Sequence, residues 1–218
     1  MKVTDLYNNR FDKQDKERKK ALWKVLCTSF FQQYIPKDAC VIDVGAGFCE
    51  FINNITCREK YAVDLNENTA AHANPDVKVL VGADLTGIQD GVFDIVFMSN
   101  FLEHMKSKED VLRILADAYR LLKNNGRILI LQPNIRYVYG EYWDFFDHHI
   151  PLSDKSLAEA LRLTGFSIEL IIPRFLPYTT KSNLPQHPAI VKTYLRFPFC
   201  WKILGKQAFV IGNKVCRA

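Results

Sequence analysis

The chain has 218 residues, 48% of them apolar and 24% charged, with a net charge of +5. That balance excludes a disordered or fibrous chain and suits one domain with a full hydrophobic core. No apolar run approaches the roughly 18 residues of a spanning helix, the first residues are polar rather than a leader, and the six cysteines (27, 40, 49, 57, 200 and 216) show no CxxC pair and no Cys/His ligand spacing. The expectation is a cytoplasmic protein with reduced thiols and no metal centre.

Residues 1–12 read as irregular, with Tyr7, Arg10 and Phe11 as anchors. Residues 13–34 read as a helix: Leu22, Val25, Leu26, Ser29 and Phe30 share one face, and Ile35-Pro36 ends it. This helix is expected to pack over the edge of the core and cover a ligand. The core then alternates between strands and helices. Cys40 to Val44 is the first strand, followed by a Gly-rich turn and a short helix over Glu50 to Asn54. Lys60 to Val63 is the second strand, closing on Asp64, with a weak helix at 67–73. Val77 to Val81 is the third, closing on Asp84, and residues 85–91 are too short for a helix. Phe93 to Met98 is the fourth. Residues 108–122 carry the clearest helical stripe, stopped by Asn124-Asn125-Gly126. Arg127 to Leu131 is the fifth strand. The runs are continuously apolar, as a parallel sheet covered on both faces requires.

Beyond the fifth strand the pattern changes. Residues 134–150 are aromatic-rich and irregular. Ser153 can N-cap a helix to Thr164, with Gly165 beyond it. Phe166 to Ile172 is the sixth strand, 173–206 a long insertion, and Gln207 to Gly212 the seventh strand. The fold class is therefore α/β: a doubly wound, seven-stranded, mostly parallel sheet with an antiparallel C-terminal hairpin. One domain is expected over 1–218, with 1–36 as a helical cover, 38–135 as the core and 136–218 as hairpin, loops and insertion.

The organising stretch is Val41-Ile42-Asp43-Val44-Gly45-Ala46-Gly47-Phe48-Cys49-Glu50. Glycines at 45 and 47 let a ligand approach the backbone, and a helix beginning just after them would aim its N–H groups and positive dipole end at the same spot. Three acids accompany the turn. Asp64 ends the second strand about 20 residues on, where doubly wound folds bind ribose hydroxyls. Asp84 follows the third strand and suits an adenine amino group. Asp43 lies inside the first strand, where a buried carboxylate needs backbone N–H groups or a ligand ammonium.

Asp43-Val44-Gly45-Ala46-Gly47, then Asp64, then Ala83-Asp84-Leu85, then Phe93-Asp94-Ile95-Val96 leading into Leu102-Glu103-His104-Met105, resemble the class I S-adenosylmethionine-dependent methyltransferases. Within that class they look like the small-molecule branch with "LEH" after strand four, of the bacterial surface-polysaccharide type. The resemblance covers about 38–135, with Cys49 where the family has a third glycine. It implies S-adenosyl-L-methionine as cofactor. Gly45 and Gly47 would approach its methionine part, Asp43 would hold the amino group, and Asp64 with Leu65 would take the ribose. Asp84 would face the adenine, Leu85 would pack on it, and Asn100 and Phe101 would line the transfer site.

Methyl transfer to a hydroxyl needs a base, and histidine suits that near neutral pH. The candidates are His104, His148 and His149, with no metal required. From Pro173 to Ala218 there are eight Lys and Arg and no Asp or Glu. Arg174, Lys181, His187, Lys192, Arg196 and Lys202 alternate there with Phe175, Tyr178, Tyr194, Phe197, Phe199 and Trp201. This insertion reads as packing around the last strand, as a pocket for a phosphorylated acceptor such as a nucleotide sugar, or as a peripheral membrane surface for a lipid-linked glycan. The expected reaction is O-methylation of a small polar acceptor, without nucleic acid. The alternatives are an NAD(P)-dependent oxidoreductase and a non-catalytic cofactor-binding subunit that docks a membrane or protein partner. The oligomeric state is open.

Overall fold

The computed structural model describes residues 13–82, 85–178 and 187–215. Tyr7, Arg10, Phe11, Asp84, Lys181 and Cys216 lie outside the described residues. In chain order the elements are α1 (Lys13–Ser29), β1 (Cys40–Val44), β2 (Glu59–Asp64), α2 (Thr69–His72), β3 (Val77–Val81), β4 (Phe93–Ser99), α3 (Lys108–Leu121), β5 (Leu122–Pro133), α4 (Ile135–Val138), α5 (Asp154–Leu163), β6 (Phe166–Ile172), α6 (Pro188–Arg196), α7 (Pro198–Leu204) and β7 (Gln207–Lys214). Short 3-10 turns lie at Phe31–Tyr34, Leu102–His104 and Tyr139–Asp144.

The strands form a seven-stranded sheet in the order β3-β2-β1-β4-β5-β7-β6. The β1–β2, β2–β3 and β4–β5 pairs are parallel, whereas β7 runs antiparallel to both β5 and β6. This is the expected α/β sheet with its C-terminal hairpin. The chain divides into two compact units, Met1–Ala83 with Thr179–Pro198, and Asp84–Tyr178 with Phe199–Ala218.

In the first unit every residue of β1 is buried. The α1 helix closes over an aromatic cluster in which Trp23 stacks on Phe31 at 6.0 Å and both rings meet Phe51 edge-on. The Cys27 thiol donates to the Phe51 carbonyl at 3.6 Å. The helix stops at Ser29 rather than at residue 34, because residues 31–34 tighten into a 3-10 turn. The α6 helix packs against α1 and buries Val191 and Leu195.

In the second unit α3 starts on Ser107, whose hydroxyl accepts from the Asp110 N–H. It buries Val111, Ile114, Leu115, Ala118 and Leu121. Its end is not set by Asn124-Asn125-Gly126 as the sequence suggested. The carbonyls of Arg120 and Leu121 are taken by the N–H groups of Gly91 and Val92, and Leu122 is already extended and paired with Phe93. Gly126 is needed for another reason: a Cβ there would come within 2.9 Å of the Lys123 carbonyl oxygen and 3.2 Å of that of Asp94. The α5 helix begins with a reciprocal capping box between Ser153 and Ser156. The long insertion is not formless: it contains α6 and α7.

One expected element is absent. Residues 47–54 form successive turns, not the helix predicted over Glu50 to Asn54. Cys49 sits in the left-handed region at φ 59°, which a right-handed helix cannot accommodate. The hydrogen bonds accordingly mix spacings, Cys49 N–H to Ala46 and Asn54 N–H to Phe51 beside Asn53 N–H to Cys49. The dipole argument therefore lapses, and any ligand at this turn is held by side chains and individual N–H groups.

Candidate functional site

The turn after β1 is shaped by Gly45 at φ 76° and Gly47 at φ 54°, a conformation that costs an L-residue about 1–2 kcal/mol. The Gly45 and Ala46 N–H groups both donate to the Val63 carbonyl, which ties the turn to β2. Asp64, at the end of β2, accepts the Gly47 N–H on Oδ2 at 2.7 Å and the Asn66 N–H on Oδ1 at 2.8 Å. The Thr69 hydroxyl donates to the Gly47 carbonyl at 2.9 Å. Each Asp64 oxygen thus carries one backbone bond and retains a lone pair. That arrangement suits two adjacent hydroxyl donors.

Asp43 is 3% exposed and Glu50 9%. The Asp43 carboxyl lies well above the usual carboxylate range, chiefly through burial and then through the charges of Glu50 and Asp64, against which a bond from the Ile52 N–H acts. Glu50 is paired with Lys19 at 3.0 Å. The same surroundings push the Cys49 thiol to about 12, so it stays protonated and unreactive. Three acidic side chains thus surround the glycine turn: Asp64 with both oxygens bonded to backbone N–H groups, Asp43 held towards its neutral form, and Glu50 paired with Lys19.

The sign of the Asp43 effect follows from linkage. The native state keeps a proton that the unfolded chain releases near pH 4, so stability falls as pH rises from there through the raised native value. Asp43→Asn is expected to remove that decline and melt several degrees higher than the wild type at pH 8. It should weaken binding of a cationic ligand about tenfold, a loss of roughly 1.4 kcal/mol. Thermal melts from pH 5 to 8, with and without ligand, test both halves.

A second cluster lies in the other unit. Glu103 and His104 occupy the 3-10 turn after β4, and the His149 and Ile150 N–H groups both donate to the Glu103 carbonyl. The loop carrying the histidine pair is thereby fastened to the turn. His104 Nδ1 faces the Asp147 carbonyl at 3.0 Å and its carboxylate at 3.3 Å. His148 is 8% exposed, and its Nδ1 faces the Tyr142 carbonyl at 3.0 Å. Carbonyl oxygens only accept, so both Nδ1 atoms carry hydrogen and both Nε2 atoms carry the lone pair of the neutral ring. Phe145 stacks on His148 at 4.9 Å, Tyr142 tilts against it at 4.7 Å, and the His104 ring lies 5.1 Å away. Tyr142 is buried, and its hydroxyl donates to Ile150. Glu103 is 3% exposed, and its Oε2 has no hydrogen-bond partner among the described residues. Burial raises this carboxyl to about 7, with His104 acting in the opposite direction.

The remaining predicted residues are placed as follows. Leu65 is 60% exposed. Leu85 is buried, and its carbonyl accepts from Arg120. Asn100 follows β4 in a left-handed conformation at φ 47°, and its side chain donates to the Ser99 hydroxyl. His149 is exposed. In the insertion, Arg174 donates to the Gly205 and Ile203 carbonyls, and Phe175 packs on Trp201 and Phe209. His187 caps α6. Sequence reasoning missed Thr69, Asn66 and the Lys19–Glu50 pair, and it gave no role to the Glu103 side chain. The one available signal was the acid inside the Leu102-Glu103-His104 run.

Residues 42–130 match a family model described as a methyltransferase domain. No curated protein matches by sequence. Among solved structures, the chain is similar to a SAM-dependent methyltransferase from Archaeoglobus fulgidus (20% identity, 89% of this chain and 94% of that one, TM-score 0.65). It is likewise similar to a SAM-dependent methyltransferase from Thermotoga maritima (18%, 92% and 95%, 0.64). A third likeness is to the [4+2]-cyclase SpnF (17%, 82% and 75%, 0.58), so the fold serves more than one chemistry. Residues 42–130 thus resemble a methyltransferase domain, set in the seven-stranded fold of S-adenosylmethionine-dependent methyltransferases.

Proposed function

We propose that the protein is an S-adenosylmethionine-dependent methyltransferase acting on an oxygen of a small polar acceptor: a sugar, a nucleotide sugar or a lipid-linked glycan. One observation carries the cofactor reading. Asp64 is fixed by two backbone N–H groups with a lone pair left on each oxygen, beside the buried carboxyl of Asp43 and a glycine turn. A ribose offers two hydroxyls and a methionine offers an ammonium, and these residues supply an acceptor for each. A dinucleotide would instead place a pyrophosphate at this turn, where the Asp64 carboxylate and the buried Asp43 carboxyl offer it only acceptors.

When bound, the cofactor supplies an electrophilic methyl group on a sulfonium. The chain's own work is to hold it, align the acceptor and take the acceptor's proton. In this reading Asp64 takes the ribose hydroxyls and Asp43 ionises against the ammonium. Asn100 and Phe101 border the transfer site, and His148 Nε2 receives the proton. Leu65 and Asp84 retain the cofactor roles that the resemblance implies. The test is calorimetric titration with S-adenosylhomocysteine, with NAD in parallel. Micromolar binding of the first alone is expected; binding of NAD alone would replace this reading with the oxidoreductase.

The lipid-linked form of the acceptor draws support from α7. Its sequence PFCWKIL is almost wholly apolar, yet none of its residues is buried. Phe199 is 72% exposed and Ile203 58%, beside the exposed Lys202. Such a face suits an acidic membrane interface. Co-sedimentation with vesicles containing phosphatidylglycerol is expected for the wild type and should fall several-fold in a Phe199→Ser, Ile203→Ser double variant. Equal recovery of the two proteins would remove this form of the acceptor.

A further inference from the structure

We infer that Glu103, His104 and His148 form a binding site for a divalent first-row transition cation. One ligand atom from each lies within 4.8 Å of the other two. The two imidazoles are arranged as metal-ligating histidines are. His104 Nδ1–H is held by Asp147 and His148 Nδ1–H by the Tyr142 carbonyl, which fixes each ring and its tautomer so that ligation falls to Nε2. The third ligand is the one that needs an explanation. Glu103 is 3% exposed, and among the described residues its buried Oε2 has no hydrogen-bond partner, an arrangement that a cation or donor meeting it would relieve.

The donor set selects the metal. Two imidazoles and one carboxylate suit zinc, cobalt, nickel, iron or manganese, whereas calcium and magnesium prefer oxygen ligands throughout. Three protein ligands leave at least one coordination position for an outside oxygen, as in catalytic sites. The shell is rigid, since the Glu103 carbonyl accepts the His149 and Ile150 N–H groups and Phe145 stacks on His148. A cation held there would acidify a coordinated acceptor hydroxyl and release its proton to water, in place of direct abstraction by His148. That use rests on the methyltransferase reading; the binding itself does not.

The experiment uses tag-free protein stripped with chelator and titrated with Co²⁺, followed by visible absorbance, with Zn²⁺ as competitor. The expected result is one equivalent of Co²⁺ with visible bands, displaced by Zn²⁺. Affinity should fall at least tenfold in both Glu103→Gln and His148→Ala and stay within twofold in His149→Ala. Glu103→Gln keeps the buried volume, so its loss of binding at an unchanged circular dichroism spectrum reports a lost ligand rather than a lost fold. No absorbance change and no Zn²⁺ binding would overturn the inference. So would binding that persists in both variants. The stripped protein is also titrated with S-adenosylhomocysteine. Cofactor binding without metal binding overturns this inference alone, and metal binding without cofactor binding overturns only the proposed function.

Discussion

His148→Ala is expected to lower the rate of methyl transfer about 100-fold or more while leaving S-adenosylhomocysteine affinity within twofold. A positioned group that takes a proton in the transition state contributes roughly 10²–10⁴ in rate. His148 is buried beneath Phe145 and Tyr142, with Nδ1–H committed to the Tyr142 carbonyl. Its Nε2 is therefore basic and directionally fixed. His149 is exposed, and its bond to the Glu103 carbonyl is made by its main-chain N–H, so His149→Ala is expected to change the rate by less than twofold. The measurement is S-adenosylhomocysteine release against an acceptor found by screening hydroxylated sugars and nucleotide sugars. Equal effects of the two substitutions would dismiss His148 as the proton acceptor, whether it acts directly or through a bound cation.

Asp64→Ala should weaken S-adenosylhomocysteine binding by about 100-fold or more. Two hydrogen bonds to a carboxylate are worth roughly 1.5–3 kcal/mol each, and each 1.4 kcal/mol is a factor of ten. The same substitution strips the Gly47 and Asn66 N–H groups of their acceptor, so stability should also fall by about 1–3 kcal/mol. Asp64→Asn separates the two effects. Its amide oxygen still accepts one N–H, so the fold should be largely kept, but the charge-assisted bonds to ligand hydroxyls are lost. Calorimetry beside thermal melts distinguishes them. Unchanged affinity in a folded Asp64→Asn protein would remove the ribose role and with it the main support for the cofactor reading.

The insertion combines cations that are committed within the chain with others for which the sequence offered more than one role. Its cations read as packing around the last strand, as a pocket for a phosphorylated acceptor or as a membrane surface; Arg174 is committed to the Gly205 and Ile203 carbonyls and Lys206 to Glu141. Gly205 itself has no room for a side chain, since a Cβ would lie 2.6 Å from the Trp201 carbonyl oxygen and from the Arg174 carbonyl carbon. Arg174 and Lys206 therefore organise the chain itself.

The elements governed by local rules were legible from the chain itself. β3 and β6 begin and end at the expected residues, α5 starts on the expected Ser153 cap, and the glycine turn is followed by Asp64 as the doubly wound pattern requires. Periodicity, capping and positive φ act within a few residues, so the order of residues is enough to determine them. Tertiary structure alone decided the rest. Cys49 adopts the left-handed conformation and cancels the helix expected at Glu50 because β2 and Thr69 hold the turn from outside. Asp147 reaches His104 across 43 positions of sequence, and the Glu103 carbonyl fastens His149 and Ile150, which brings His148 onto the same turn. Which of two adjacent histidines is buried, and which carboxylate lacks a partner, depend on contacts between segments that no local pattern records.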